Sequence, residues 1–207
     1  LRVALERHDR NSARDAAGTI EEACKSMSAS FNAILDLSKF DARGVKPELA
    51  DINLSDLLRR LYAESQLIAR QKNLVLRLHL SSRGPLYVRS DAELVGRSLR
   101  NLLGNAIKYT SSGGVVLGEI AHGDTVEVAI YDSGIGIAKQ YQKDIFAEFF
   151  QVANRERDQR QGMGLGLAIV RHNAEIYAGS VSVESKLGQG ARFLLQLPTR
   201  TFMKIRQ

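Results

Sequence analysis

Apolar and polar positions recur with two different periods along this chain, and the changes of period divide it. From about Ala16 to Arg43, the positions Ile20, Ala23, Met27, Ser30, Ile34 and Leu37 follow one another at spacings of three and four, and Cys24, Phe31 and Ser38 widen the stripe. That spacing gathers side chains on one face and predicts a long amphipathic helix, either a bundle or coiled-coil seam or a core helix of a single domain. Gly44 and Pro47 stop it. Helical spacing returns at Leu54, Leu57, Leu58 and Leu61, behind Asn53 as a cap and with Asp56 in the first turn. Leu74 to Leu80 alternates apolar with polar residues, as a half-buried strand does. Ser90-Asp91-Ala92-Glu93 reads as a capping box, with Ser90 as the cap and Glu93 reaching back. It opens a helix that carries Leu94, Leu99, Leu102, Leu103 and Ile107.

Beyond that helix the period changes to two. Gly114 to Ala121 and Thr125 to Asp132 read as strands joined by a turn at His122-Gly123-Asp124. Ala138 to Phe146 reads as a short helix and Leu165 to Ala178 as another. Val181 to Glu184 and Ala191 to Leu197 form a second hairpin through Gly188 and Gly190. Strands gathered on one side of several helices predict an α+β fold, a two-layer sandwich. The expected organisation is a partial helical hairpin over 1–46, a self-contained domain over 47–198 and a polar, basic linker over 199–207.

Composition narrows the class. The chain has 207 residues, 44% hydrophobic and 25% charged, in the range of globular domains. No stretch approaches the roughly 20 apolar residues that span a bilayer. Leu1 stands where Met would begin a protein, so the chain is expected to be a piece of a longer parent, whose membrane anchor, where it has one, lies outside these residues. A lone cysteine, Cys24, suits a reducing cytoplasm. The net charge of +6 raises the question of nucleic acid. The surplus is scattered, without basic runs interleaved with aromatics and without zinc-finger spacing, so a solvated surface with a basic phosphate site is the better reading and no nucleic-acid partner is expected.

The chemistry lies in four motifs. In Asn101-Leu102-Leu103-Gly104-Asn105-Ala106-Ile107-Lys108-Tyr109-Thr110, Asn101 and Asn105 are four apart on one helix and Lys108 is three further on, so two amides and a cation share a face. That set suits phosphates bridged by a hard, oxygen-seeking cation such as Mg²⁺. The alternative is a merely solvated face, although Asn is a poor helix former. Asp132-Ser133-Gly134-Ile135-Gly136-Ile137 ends a strand. Its glycines permit a tight turn, and Asp132 is able to accept a hydrogen bond from an adenine amine; a simple strand-ending turn is the alternative. Gly162-Met163-Gly164-Leu165-Gly166-Leu167 precedes a helix whose N-terminal amides suit an anion. No Lys-Ser or Lys-Thr follows, and no strand leads into it, so neither a P-loop nor a dinucleotide fingerprint applies. Gly188-Gln189-Gly190 completes the set. Arg155, Arg157 and Arg160, in the charged stretch after Phe150, are either phosphate ligands or solvated side chains.

In this order the four motifs resemble the nucleotide-binding domain of sensor histidine kinases, within the ATPase superfamily that also holds gyrase and the mismatch-repair ATPases. Ile145-Phe146-Ala147-Glu148-Phe149-Phe150-Gln151 resembles the kinases' phenylalanine box, and Leu35-Asp36-Leu37-Ser38-Lys39-Phe40 the end of their second hairpin helix. The resemblance covers about residues 17 to 198. It implies a Bergerat-type ATP-binding fold behind a dimerising helical hairpin, with ATP and Mg²⁺ as cofactors, a homodimer through the hairpin and a response-regulator receiver domain as partner. It also implies Asn105 as the Mg²⁺ ligand with Asn101 in support, Lys108 on phosphate, Tyr109 and Asp132 near the adenine with Gly134, Gly136 and Ile137, and Gly162, Gly164, Leu165, Gly166 and Leu167 around the phosphates. Where the family usually has Ser or Thr, this chain has Ala191.

Position 101 separates two reactions. The hydrolytic relatives typically carry Glu four residues before the metal-binding Asn, as general base for water. Asn101 takes no proton at neutral pH, which favours phosphotransfer over an ATPase that drives conformational change. The other alternative is a non-catalytic nucleotide-binding scaffold. A kinase of this class also needs a histidine acceptor on its hairpin. His8-Asp9-Arg10-Asn11 lacks the family's basic fourth residue and falls near the predicted hairpin turn. The acceptor is therefore expected before Leu1. His79, His122 and His172 read as structural or surface residues.

Overall fold

The leucine spacing after Asn53 builds the first described helix of the domain. The computed structural model describes residues 13–21, 24, 47–123, 125–152 and 163–198. α1 spans Leu54–Gln71 and buries Leu54, Leu57, Leu58 and Leu61. The Asn53 side chain caps it, accepting the Asp56 amide at 3.1 Å, which satisfies one orphan donor of the first turn.

Strand β1 (Ala50–Asn53) precedes α1; β2 (Val75–His79) and β3 (Tyr87–Ser90) follow it. α2 (Ala92–Tyr109) leads to β4 (Gly114–His122) and β5 (Thr125–Asp132), and α3 (Gly166–Ile176) to β6 (Ser180–Ser185) and β7 (Ala191–Pro198). β1 and β3 form a small antiparallel pair. The main sheet has the order β2-β4-β5-β7-β6. Among the described strands only β2 and β4 run parallel, because the chain returns between them through β3 and α2. Val115 and Leu117, Val126, Val128 and Ile130, and Phe193, Leu195 and Leu197 alternate inward along β4, β5 and β7 and join Leu99, Leu102 and Leu103 of α2 in one core. On the opposite face Arg192 bridges Glu127 at 3.2 Å and Glu184 at 3.1 Å, over the ring of Tyr131. One apolar sheet face under the helices makes the two-layer α+β sandwich, while the other face mixes these charged side chains with the buried, paired Ala129 and Leu194.

Several local expectations are corrected. The cap of α2 is Asp91, not Ser90: one carboxylate oxygen takes the amides of both Glu93 and Leu94 at 3.0 Å. A carboxylate is the stronger acceptor at a helix N-terminus. Ser90 belongs to β3, where it pairs with Ala50 and its buried hydroxyl has no partner among the described residues. The helix expected over Ala138 to Phe146 is instead two 3₁₀ turns, Lys139–Tyr141 and Asp144–Phe146. The Ile137 amide and carbonyl are held by Ser185 and Gln142, and Ala138 stays extended, so no continuous helix starts there. The four-residue strands β1 and β3 are additional.

The first long helix is already formed at residue 13 and continues through 21. Its remaining seam over 25–46, His8 and the linker at 199–207 lie outside the described residues. No helix among the described residues is long and apolar enough to cross a membrane.

Candidate functional site

The inner end of α2 sets the site. Asn101, Asn105, Lys108 and Tyr109 line one cleft, as their spacing requires. Asn101 is half-buried. Its amide nitrogen donates to the Arg97 carbonyl at 3.2 Å, while its oxygen turns toward Gly166 on the neighbouring helix. Lys108 Nζ lies 5.1 Å from the centre of the Tyr109 ring. Burial lowers the pKa of the Lys108 ammonium and raises that of the Tyr109 hydroxyl. Thr110 ends the helix and turns its hydroxyl back onto the Ala106 carbonyl at 2.7 Å.

Asp132 closes the other side, at the end of β5. Its Oδ1 accepts the amides of Gly134 at 2.9 Å and Ala191 at 3.2 Å. Those two bonds fix the carboxyl plane and leave Oδ2 for a donor in the cleft. Burial raises the Asp132 pKa, against the pull of the two amides. Gly134 must be glycine: a methyl group there would stand 2.5 Å from the Tyr109 carbonyl. Gly136 has φ +66° and its Cα faces the Lys186 carbonyl, so a side chain is excluded both by conformation and by space. Behind this turn, Gln142 donates to the carbonyls of Ile137 at 3.0 Å and Ser185 at 2.7 Å, and Ser185 Oγ takes the Ile137 amide and donates to the Gly190 carbonyl. These bonds join the two glycine turns into one wall.

The third wall is the start of α3. Gly164 has φ +74°, and a methyl group there would come within 2.7 Å of the Phe150 carbonyl. Among the described residues no side chain caps the helix at Leu165, and first-turn amides without a helical partner suit an outside acceptor. Gly166 lets the helix end approach Asn101: a methyl group there would sit 3.1 Å from the Asn101 oxygen.

The cleft so formed measures about 960 Å³, large enough for a nucleotide-sized ligand. It brings together Asn101, Asn105, Lys108, Tyr109, Asp132, Gly136, Ile137, Gly164, Leu165, Gly166 and Leu167. Gly134 stands behind the wall as a partner of Asp132, and Gly162 with Arg155, Arg157 and Arg160 lies outside the described residues. Sequence reasoning missed Lys72, Gln142 and Ser185. Ser185 heads the last glycine box but its spacing assigns it no role, and no local pattern marks Lys72 or Gln142, because each of the three also holds backbone more than 30 residues away. The oxygen atoms lining the cleft also fit a hard cation. Asn105 offers a neutral oxygen, and Mg²⁺ takes oxygen ligands while keeping waters and substrate phosphates. Among the described residues no cluster of three or more His, Cys, Asp or Glu gathers.

Comparison with known proteins agrees with this geometry. Residues 90–201 match the family of histidine kinase-, DNA gyrase B- and HSP90-like ATPases. The chain is 36% identical over 172 residues to the sensor histidine kinase TmoS of Ectopseudomonas mendocina, covering 81% of this chain and 17% of that one. It is 32% identical over 165 residues to the sensor histidine kinase RcsC of Escherichia coli K12, covering 80% and 17%. Among solved structures, full-length ShkA in complex with AMPPNP superposes with a TM-score of 0.79 at 29% identity, over 91% of this chain and 39% of that one. The nucleotide-free catalytic domain of the histidine kinase ThkA gives 0.65 at 27% identity, over 73% and 96%. The chain spans 17% of the length of each of the two sensor histidine kinases TmoS and RcsC.

Proposed function

Because the chain belongs to the histidine kinase-, DNA gyrase B- and HSP90-like ATPase family, we propose that it is the catalytic core of a sensor histidine kinase, binding Mg·ATP and presenting the γ-phosphoryl to a histidine. The observation that carries this reading is the convergence of Asn101, Asn105 and Lys108, Asp132 and the open start of α3 on one cleft. In it, Asp132 Oδ2 accepts from the adenine amine, a contact that guanine, with a carbonyl in that place, does not offer. Gly136 and Ile137 give the base a close wall, and Tyr109 flanks it. The amides of Leu165, Gly166 and Leu167 and the Lys108 ammonium receive phosphate oxygens. Asn105 holds Mg²⁺, and Asn101 braces it through the end of α3. The cation, when bound, neutralises phosphate charge as the phosphoryl leaves.

The chain's own residues contribute position and charge. Asn101 stands where a general base would activate water, and an amide takes no proton there. The phosphoryl is therefore kept for an outside nucleophile, a histidine on the helical hairpin beyond 47–198, and passes from there to a receiver aspartate. The hairpin is the dimer contact, and the parent works in the cytoplasm.

Two measurements on the same sample test this. Calorimetric titration with AMPPNP, with and without Mg²⁺, should show binding that Mg²⁺ strengthens. Steady-state phosphate release from ATP should stay at the uncatalysed background. Rapid release would make the protein a hydrolytic ATPase, and absence of binding would leave a scaffold that holds only a partner kinase.

A further inference from the structure

The cleft has an electrostatic fault in its wall, and Lys72 answers it. α2 meets the cleft with its C-terminal end: Lys108, Tyr109 and Thr110 all line it. The last carbonyls of a helix have no partner within it and carry about half a negative charge together. That is the wrong sign beside a polyphosphate. Lys72, the residue that closes α1, reaches across 35 positions and places its Nζ on two of these carbonyls, Ile107 at 2.9 Å and Lys108 at 3.1 Å. It also lines the cleft. One ammonium thus cancels the helix end and ties down the turn from which Lys108 and Tyr109 extend.

We propose that Lys72 is a positioning residue for the polyphosphate: it masks the negative end of α2 and holds Lys108 in place. The role rests on the reading of the cleft as a nucleoside triphosphate site. It predicts an effect that depends on ligand charge. A residue that only held the fold together would weaken every ligand alike.

The test uses Lys72→Met, which keeps most of the stem and removes the charge, and Lys72→Arg, which keeps a cation able to donate to both carbonyls. Affinities for ATP and for adenosine are measured at low and high salt, with a thermal melt of each variant. Lys72→Met should bind ATP about five- to ten-fold more weakly at low salt, with less than about two-fold change for adenosine, and high salt should narrow the gap. Lys72→Arg should restore most of the ATP affinity. Equal losses for ATP and adenosine would overturn the proposal, as would unchanged ATP binding by Lys72→Met. An unsubstituted chain that bound adenosine but not ATP would overturn the triphosphate reading itself, before any variant was compared.

Discussion

Two carboxyl groups show at the residue scale how burial sets chemistry. Asp132 faces the cleft with one oxygen engaged and its pKa raised by burial. As the proposed reader of the base it must be ionised to accept well. ATP affinity should therefore fall on acidification at a pH above the usual aspartate range. Asp132→Ala should weaken ATP by about ten- to a hundred-fold, the effect of losing one hydrogen bond to a charged group, and should abolish this pH dependence; a pH series of titrations on both proteins checks it. Glu119 sits at the other end of β4, its Oε1 accepting the Ser55 hydroxyl at 2.6 Å and the Ser81 amide at 3.4 Å and its Oε2 buried without a partner among the described residues. Burial raises its pKa, against those bonds and the charge of Arg59. The folded state then holds this proton more tightly than the unfolded chain. Stability from this group is full below the ordinary glutamate pKa and is lost as pH rises through the raised one. Urea unfolding from pH 4 to 8 should show that decline, and Glu119→Gln should flatten it. Asn101 and Asn105 were legible as one helix face because they stand four apart, and Asp132 because a glycine motif follows it at a strand end. Lys72, Ser185 and Gln142 were not, since the groups they hold are backbone carbonyls and amides that any residue supplies.

At the scale of elements, the two leucine-striped helices and the hairpin strands among the described residues were read correctly, while two four-residue strands were missed and a helix was expected where two 3₁₀ turns lie. Leu54 to Leu61 and Leu94 to Ile107 bury a leucine stripe, so their helices follow from spacing. β1 and β3 have four residues each, too few to carry a recognisable alternation, and they exist because they pair with each other. The start of α2 shows how neighbouring cap candidates compete. Asp91 takes two amides with Oδ1 and the Glu48 amide with Oδ2. Asp91→Ala should cost about 1–2 kcal/mol in urea unfolding. Ser90→Ala, which removes a buried hydroxyl without a partner among the described residues, should be near neutral or slightly stabilising. The reverse ranking would restore Ser90 as the cap. Gly136→Ala places a methyl group against the Lys186 carbonyl at a left-handed backbone position. It should weaken ATP binding more than ten-fold while the far-UV spectrum stays near that of the unsubstituted chain, because the strain is confined to one turn.

For the whole molecule, the fold matters because it turns sequence order into spatial convergence. Motifs at 101–110, 132–137, 164–167 and 188–190 come from both layers. They meet because α2 and α3 lie side by side on a sheet whose central strands, β5 and β7, end beside them. The order of motifs made the two-layer architecture legible. The parallel pairing of β2 with β4 was not, because it depends on a return through β3 and α2 that no local pattern encodes. The proposed kinase reading treats this convergence as a holder for Mg·ATP that withholds any base from water. Its most direct test is a crystal structure of this chain with AMPPNP and Mg²⁺. The adenine amine should lie within hydrogen-bond distance of Asp132 Oδ2, the cation on the Asn105 side-chain oxygen, and phosphate oxygens on the first amides of α3. A nucleotide bound elsewhere, or Asn105 turned away from the metal with the base clear of Asp132, would contradict it.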